Sequence, residues 1–281
     1  MITEQRIIFS DDGTLVDLSR SLNDYKKASS AVVAPVAGED YLYVGTDLPF
    51  MYRYFDVAVA NATAAVPTVE IWDGTEWELA VDVVDETAVS GASLGQKGFI
   101  RWAPQRNGSG WGFEDTTEDI PDLSTLRIQD FYWARFSWSD DLDGTTALYS
   151  IGFKFSEDGD LAPMYPDLLL SATLTNFQTG KTNWDEQHFL AAREILRYLR
   201  QKRFIENKNQ VLEWDLFREA SCHKVAEIAY RAFGPDFDPR REQARKDFFE
   251  AMNQGIMRVD RNMDGRVDPV ERFRHAGLVR R

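Results

Sequence analysis

Cysteine is nearly absent and histidine is scarce. Cys222 is the only thiol in 281 residues, and His188, His223 and His275 are the only imidazoles. A single thiol excludes an internal disulfide and leaves the redox compartment open. No histidine sits in an H-E-x-x-H or comparable ligand spacing, which argues against a zinc enzyme. Cys222 and His223 are neighbours on a predicted helix, so their side chains diverge and do not make a nucleophile–base pair; Cys222 reads as a small core residue. Nucleophile-elbow (G-x-S-x-G) and phosphate-loop (G-x-x-x-x-G-K-[ST]) patterns are missing too. Glycoside hydrolysis needs only two carboxylates at a set separation, and nothing among the 46 acids singles out a pair.

Long apolar runs are also lacking. The longest, residues 31–37, is broken by Pro35 and falls far short of the roughly 20 residues of a spanning helix, so no membrane partner is expected. Residues 1–5 carry no basic region followed by an apolar one, and no secretory signal is expected. Positive charge is the other deficit. Residues 1–180 hold 11 Lys/Arg against 29 Asp/Glu, net −18, whereas residues 181–281 hold 21 against 17, net +4. An acidic first part repels phosphates and argues against sequence-specific nucleic-acid binding. The asymmetry points to different surroundings for the two parts, or to copies of the chain facing each other in an assembly.

What is present is ample core material. Hydrophobic residues make up 43% of the chain and aromatics 13%, incompatible with disorder throughout. The length fits about two domains. Before residues 175–182, short β-branched and aromatic runs alternate with turn residues, as in a sandwich or barrel. They fall at 42–44, 52–58, 68–72, 75–84, 98–102, 131–138 and 147–155, and residues 18–31 read as a short helix. Thr68-Val69-Glu70-Ile71-Trp72, then Asp73-Gly74, then Thr75-Glu76-Trp77-Glu78-Leu79 reads as a hairpin, since Asp-Gly suits a type I′ turn. The 131–138 run is apolar on both sides and reads as a central strand.

After residue 180 the period becomes helical. Thr182 or Asn183 caps a helix to about Arg203 with Phe189, Ala192, Ile195, Leu196 and Leu199 on one face. A second helix covers 213–233 and stops at Gly234-Pro235. A third covers 239–259, with Phe248, Phe249, Met252 and Ile256 as its stripe. The expected fold is therefore α+β: an antiparallel, jelly-roll-like β-sandwich over 1–178, then a helical bundle over 179–281 ending in a single EF-hand-like helix–loop–helix.

Residues 260–271 read Asp260-Arg261-Asn262-Met263-Asp264-Gly265-Arg266-Val267-Asp268-Pro269-Val270-Glu271, matching the EF-hand loop D-x-[DN]-x-[DN]-G-x₅-E at every required position. Ca²⁺ takes 6–8 oxygens. Asp260, Asn262 and Asp264 offer side-chain oxygens at positions 1, 3 and 5, Arg266 its backbone carbonyl at 7, Asp268 an oxygen at 9 through water, and Glu271 two at 12. Gly265 permits the sharp turn, the third helix leads in, and 269–279 leads out as a helix. No second loop is found: Asp140-Asp141-Leu142-Asp143-Gly144 and Ser156-Glu157-Asp158-Gly159-Asp160 lack the spacing and read as turns. An unpaired loop favours structural Ca²⁺ over a switch. Six of the eight tryptophans (Trp72, Trp77, Trp102, Trp111, Trp133, Trp138) lie in the β part, where core or inter-subunit packing is favoured over a sugar platform. Trp111, between two glycines, is the expected exposed exception. The Arg-rich end, 272–281, reads as a tail.

Several of these segments resemble a virion structural protein of a tailed bacteriophage, of the head-to-tail (neck) adaptor or connector type. In the β part they are Ile71-Trp72-Asp73-Gly74-Thr75-Glu76-Trp77, Gly98-Phe99-Ile100-Arg101-Trp102 and Tyr132-Trp133-Ala134-Arg135-Phe136. In the helical part they are Trp184-Asp185-Glu186-Gln187-His188-Phe189-Leu190-Ala191-Ala192-Arg193-Glu194-Ile195-Leu196-Arg197-Tyr198-Leu199-Arg200, Leu216-Phe217-Arg218-Glu219-Ala220-Ser221 and Ala226-Glu227-Ile228-Ala229-Tyr230. Together they span much of 55–235 as patterns of composition and order, without an invariant signature. The resemblance implies a non-enzymatic protein of the virion, assembled in the host cytoplasm as a homo-oligomeric ring, commonly twelvefold, with the portal and tail-side neck proteins as partners. The calcium loop is not a defining feature of connectors. The alternative is a carbohydrate-binding β-sandwich with a dockerin-like docking segment, since 260–271 also resembles a dockerin loop; dockerins, however, carry two loops and belong to secreted proteins. An intracellular calcium sensor is disfavoured by the single loop.

Overall fold

A computed structural model describes residues 5–23, 29–103, 110–205, 210–211, 214–254, 256–258 and 272–274; for 214, 254, 256–258 and 272–274 only the backbone is described. The chain is α+β, with antiparallel sheets in the N-terminal part and helices in the C-terminal part. Among the described residues, no helix is long and apolar enough to cross a membrane. Two compact units divide between Gly152 and Phe153.

The first unit contains strands β1 (Gln5–Asp11), β2 (Thr14–Asp17), β3 (Ala31–Val32), β4 (Leu42–Thr46), β5 (Tyr52–Val59), β6 (Pro67–Trp72) and β7 (Trp77–Leu79). It continues with β8 (Val81–Asp85), β9 (Gly98–Ala103), β10 (Phe113–Glu114), β11 (Phe131–Trp138) and β12 (Ala147–Gly152); one short helix, α1 (Ser19–Leu22), follows β2. One sheet has the order β2-β1-β4-β11-β6-β7 with β10 also on β11, and the other β3-β12-β5-β9-β8. Every ladder is antiparallel. Phe136 of β11 meets Phe55 of β5 and Trp102 of β9 edge-on, at 5.6 and 5.9 Å between ring centroids. On β11, which is central as its two apolar sides imply, Trp133 covers the backbone of Gly45 in β4. A Cβ at residue 45 would lie 2.8 Å from that ring, so only glycine fits beneath it.

A polar clamp joins the two sheets. Arg53 of β5, fully buried, donates from Nε to Gln5 Oε1 of β1 at 2.8 Å and from a guanidinium NH₂ group to Tyr52 O at 2.7 Å. Its guanidinium sits 3.7 Å above the Phe50 ring. Gln5 Nε2 in turn donates to Ile151 O of β12 at 3.1 Å. Burial lowers the Arg53 pKa to about 9, which leaves it charged at neutral pH.

Two local expectations change. The Asp73-Gly74 hairpin is present, but its loop spans 73–76, with Trp72 opposite Trp77. Asp73 Oδ1 accepts from the Thr75 amide, the Thr75 hydroxyl and the Glu76 amide, stabilising the wider loop in place of a two-residue type I′ turn. The run 75–84, expected as one strand, is split: β7 ends one sheet and β8 the other. Ala80 lies between them, and Asp82, at φ 52°, accompanies a bulge between Val81 and Val84.

The second unit begins before the change of sequence texture at 178. Residues 153–178 form α2 (Asp158–Leu161), a 3-10 turn at Pro166–Leu169 and α3 (Ser171–Phe177). Their Leu161, Leu168 and Leu174 share one core with Trp184, Cys222, Val225, Ala226 and Ala229, which is why this segment belongs with the helices. The long helices are α4 (Asp185–Gln201), α5 (Arg218–Ala232) and α6 (Asp238–Gln254). Phe189, Ala192, Ile195, Leu196 and Leu199 of α4 are buried, the face that periodicity predicts. Trp184 occupies the cap position of α4; Asn183 Oδ1 still accepts the Asp185 amide at 3.2 Å.

Candidate functional site

The calcium-loop residues Asp260, Asn262, Asp264, Arg266, Asp268 and Glu271 lie outside the described residues. What is described is the chain on either side. α6 stops at Gln254, with the helix-ending residue Gly255 next in sequence. Residues Ile256–Arg258 (β13) then pair antiparallel with Arg272–Arg274 (β14), Arg258 opposite Arg272. Both described flanks of the loop segment are therefore strands: 256–258, expected within the entering helix, and 272–274, expected within an exit helix, pair with each other. Phe273 opposite Met257 suits a ladder. The ladder brings together the two ends of the segment that carries the loop.

Among the described residues, no three His, Cys, Asp or Glu side chains form a metal-binding group. The densest chemistry-bearing cluster lies inside the second unit, around His188 of α4. His188 Nδ1 is 2.7 Å from Ser156 Oγ, Ser156 Oγ is 2.6 Å from Ser221 Oγ of α5, and His188 Nε2 is 3.1 Å from Asp158 Oδ1 of α2. Asp158 also accepts the Trp184 amide at 3.2 Å. Beside it, Lys154 Nζ lies 3.3 Å from Asp185 Oδ1, with the lysine wholly buried. A carboxylate only accepts hydrogen bonds. Nε2–H therefore donates to Asp158, and the neutral ring keeps Nδ1 for the Ser156 hydroxyl. Burial lowers the His188 pKa, and the Asp158 hydrogen bond opposes that shift. Burial likewise raises the neighbouring Cys222 thiol to about 12.

Serine, histidine and aspartate in a line have the composition of a nucleophile, its base and an orienting group. Ser156, Ser221 and His188 have no exposure beyond 1%, and a nucleophile must meet its substrate. Each bond joins different segments: the strand exit, α2, α4 and α5. The network serves as a polar bolt within the helical core.

Among the described residues, most tryptophans pack inside the fold. Trp72, Trp102, Trp133, Trp138 and Trp184 are buried. Trp138 Nε1 donates to Ser93 Oγ at 2.9 Å, Trp184 Nε1 to Leu168 O at 2.9 Å, and Trp72 Nε1 to Glu114. Trp111, expected to be exposed, is half-buried against Phe50 at 5.0 Å between centroids. Trp77 is half-buried beneath Arg135, whose guanidinium carbon lies 4.7 Å from the ring centroid. Arg135 is held there by two bonds to Glu70, at 2.7 and 3.1 Å, and one to Asp122 at 2.8 Å.

Sequence reasoning missed the His188 network. Its members are 30 or more residues apart around His188, and no local motif links them. The one available signal is polar residues on apolar helix faces, His188 beside Phe189 and Ser221 beside Cys222. Comparison with protein-family models, curated proteins and solved structures finds no match to this chain.

Proposed function

We propose that this chain is a non-enzymatic virion assembly protein of a tailed bacteriophage. As a head-to-tail neck adaptor it forms a ring between portal and tail, with a structural Ca²⁺ at 260–271. The full burial of Ser156, His188 and Ser221 supports this reading on the structural side: in the most enzyme-like constellation among the described residues, the hydroxyls and the ring hold segments together. The burial of four of the six tryptophans in the β part supports it over the sugar-binding alternative, which requires exposed, coplanar rings. The β13–β14 ladder sets Arg258 opposite Arg272, so the two ends of the segment that carries the proposed ligands are close together.

In this reading Asp260, Asn262, Asp264, Asp268 and Glu271 supply carboxylate or amide oxygens and Arg266 its carbonyl, and the ion fixes the C-terminal segment. The test mixes the purified chain with a tailed-phage portal ring and follows co-sedimentation, alongside Ca²⁺ calorimetry on the chain alone. Co-sedimentation and calcium heat are expected. No association with portal would overturn the adaptor role, and unchanged calcium affinity in the Asp260→Ala/Glu271→Ala double variant would overturn the metal site.

A further inference from the structure

Two exposed surfaces of opposite character remain on this chain. The first is the corner where the chain passes from β6 through β7 to β8. No Lys or Arg occurs between Arg53 and Lys97; of the acids in that stretch Asp56 is buried against Lys97, Glu70 is held by Arg135 and Glu86 by Arg101, and those exposed or half-exposed at the corner are Asp73, Glu76, Glu78, Asp82 and Asp85. Set among these acids are exposed apolar side chains: Leu79 at 66%, Val66 at 63%, Val81 at 44% and Val84 at 38%. Ala80 N donates to Val69 O at 2.9 Å, which continues the β6–β7 pairing up to Val81. β7 and β8 are the outermost strands of their sheets. The bulge at Asp82 breaks the register of β8, a feature that discourages strand addition. A partner must therefore engage the side chains.

The second surface is the outer face of α4. Arg193, Arg197 and Arg200 are exposed and stand four and three residues apart, which places them on one face. Exposed Lys202 and Arg203 follow, and the only acid in 187–205 is Glu194, 2.6 Å from Arg197. Five cations in one place are unusual in a chain of net charge −14.

We infer that these two surfaces are the halves of one self-contact, the Arg193–Arg197–Arg200 stripe of one copy seating on the acidic, valine-rich β6–β8 corner of the next. This rests on the ring reading above and names the surfaces that would make it. Charge complementarity within one sequence identifies the occupant as a second copy of this chain. Because the two patches differ, the contact is head-to-tail, the kind that closes into a ring when the rotation per subunit allows. The apolar side chains supply desolvated area, and the charges set register and orientation.

The test is a reciprocal charge swap on the full chain. One variant carries Arg193→Glu, Arg197→Glu and Arg200→Glu; the other carries Glu76→Lys and Glu78→Lys, both on β7 or its turn and clear of the strained Asp82. Mass is followed by light scattering against concentration, at about 0.05 M and 0.5 M salt, where screening lengths differ roughly threefold. Circular dichroism confirms that each variant folds. Each alone is expected to self-associate at least tenfold more weakly than wild type, and the equimolar mixture to recover assembly, because every junction in an alternating oligomer is again complementary. If the wild type assembles and neither variant weakens it, or the mixture stays dissociated, the interface is overturned while the ring reading survives. A wild type that stays monomeric at every concentration, with and without Ca²⁺ and on mixing with a portal, overturns both. Normal assembly of the arginine variant with loss of duplex-DNA retention would make the stripe a nucleic-acid contact and overturn the proposal.

Discussion

Replacing His188 removes the node that joins α2, α4 and α5, and the effect has two separable parts. His188→Ala deletes a buried hydrogen bond to Ser156 at 2.7 Å and a part-buried one to Asp158 at 3.1 Å. It leaves the buried Ser156 hydroxyl without the ring it faced, while Asp158, partly exposed, keeps the Trp184 amide. A buried polar group left unsatisfied costs about 1–3 kcal/mol, and the vacated ring volume adds to it. A loss of about 3–5 kcal/mol is expected in urea unfolding of the helical unit. The second part is a pH dependence. The folded ring has its pKa lowered by burial, so the unfolded chain binds the proton first as pH falls. Stability contributed by the neutral ring is complete above the unfolded pKa of about 6.5 and is lost below it, down to the depressed folded value, at up to about 1.4 kcal/mol per pH unit. Unfolding free energies measured between pH 7.5 and 5 for wild type and for His188→Gln, which keeps a donor and an acceptor but does not titrate, isolate this slope. The variant's curve should be flatter below pH 6.5. Parallel curves would refute the argument that His188 is held neutral in the fold.

Other predictions follow from single contacts. Gly45→Ala places a methyl 2.8 Å from the fully buried Trp133 ring, so it should destabilise by about 1–3 kcal/mol as overpacking does, although alanine normally stabilises a glycine site; denaturant midpoints give the sign. Arg53→Met strips the partner from Gln5 between the two sheets and should cost about 2–3 kcal/mol, read in the unfolding of the β unit. Cys222, buried and with its thiol raised to about 12, should resist a disulfide reagent at pH 8 in the native state and react at once in denaturant; fast native labelling would contradict its burial. Asp260→Ala with Glu271→Ala should abolish calcium binding and the calcium-dependent part of thermal stability, measured by calorimetry and melting.

Periodicity was a good guide wherever packing is local. The buried face of α4 follows from the spacing of Phe189, Ala192, Ile195, Leu196 and Leu199, and the centrality of β11 from apolar residues on both of its sides. It failed where tertiary contacts decide. The run 75–84 alternates like one strand, yet crosses between sheets because its two halves pair with β6 and β9 separately. Residues 153–178 look like the end of the β part, but their leucines bury against Trp184 and α5. His188, Ser156, Asp158 and Ser221 meet only through the fold. The pairing of 256–258 with 272–274 is likewise non-local, and helix periodicity carried the α6 pattern past its true end.

The proposed role is that of a subunit in a ring built for assembly. The chain's mass in solution tests that most directly, measured by light scattering first with Ca²⁺ and then with EDTA, alone and on mixing with a portal. The account predicts a discrete multi-subunit species, formed by the chain alone or on the portal, and loosened when EDTA removes the ion from 260–271. A 32.2 kDa monomer in every condition, portal included, would contradict it.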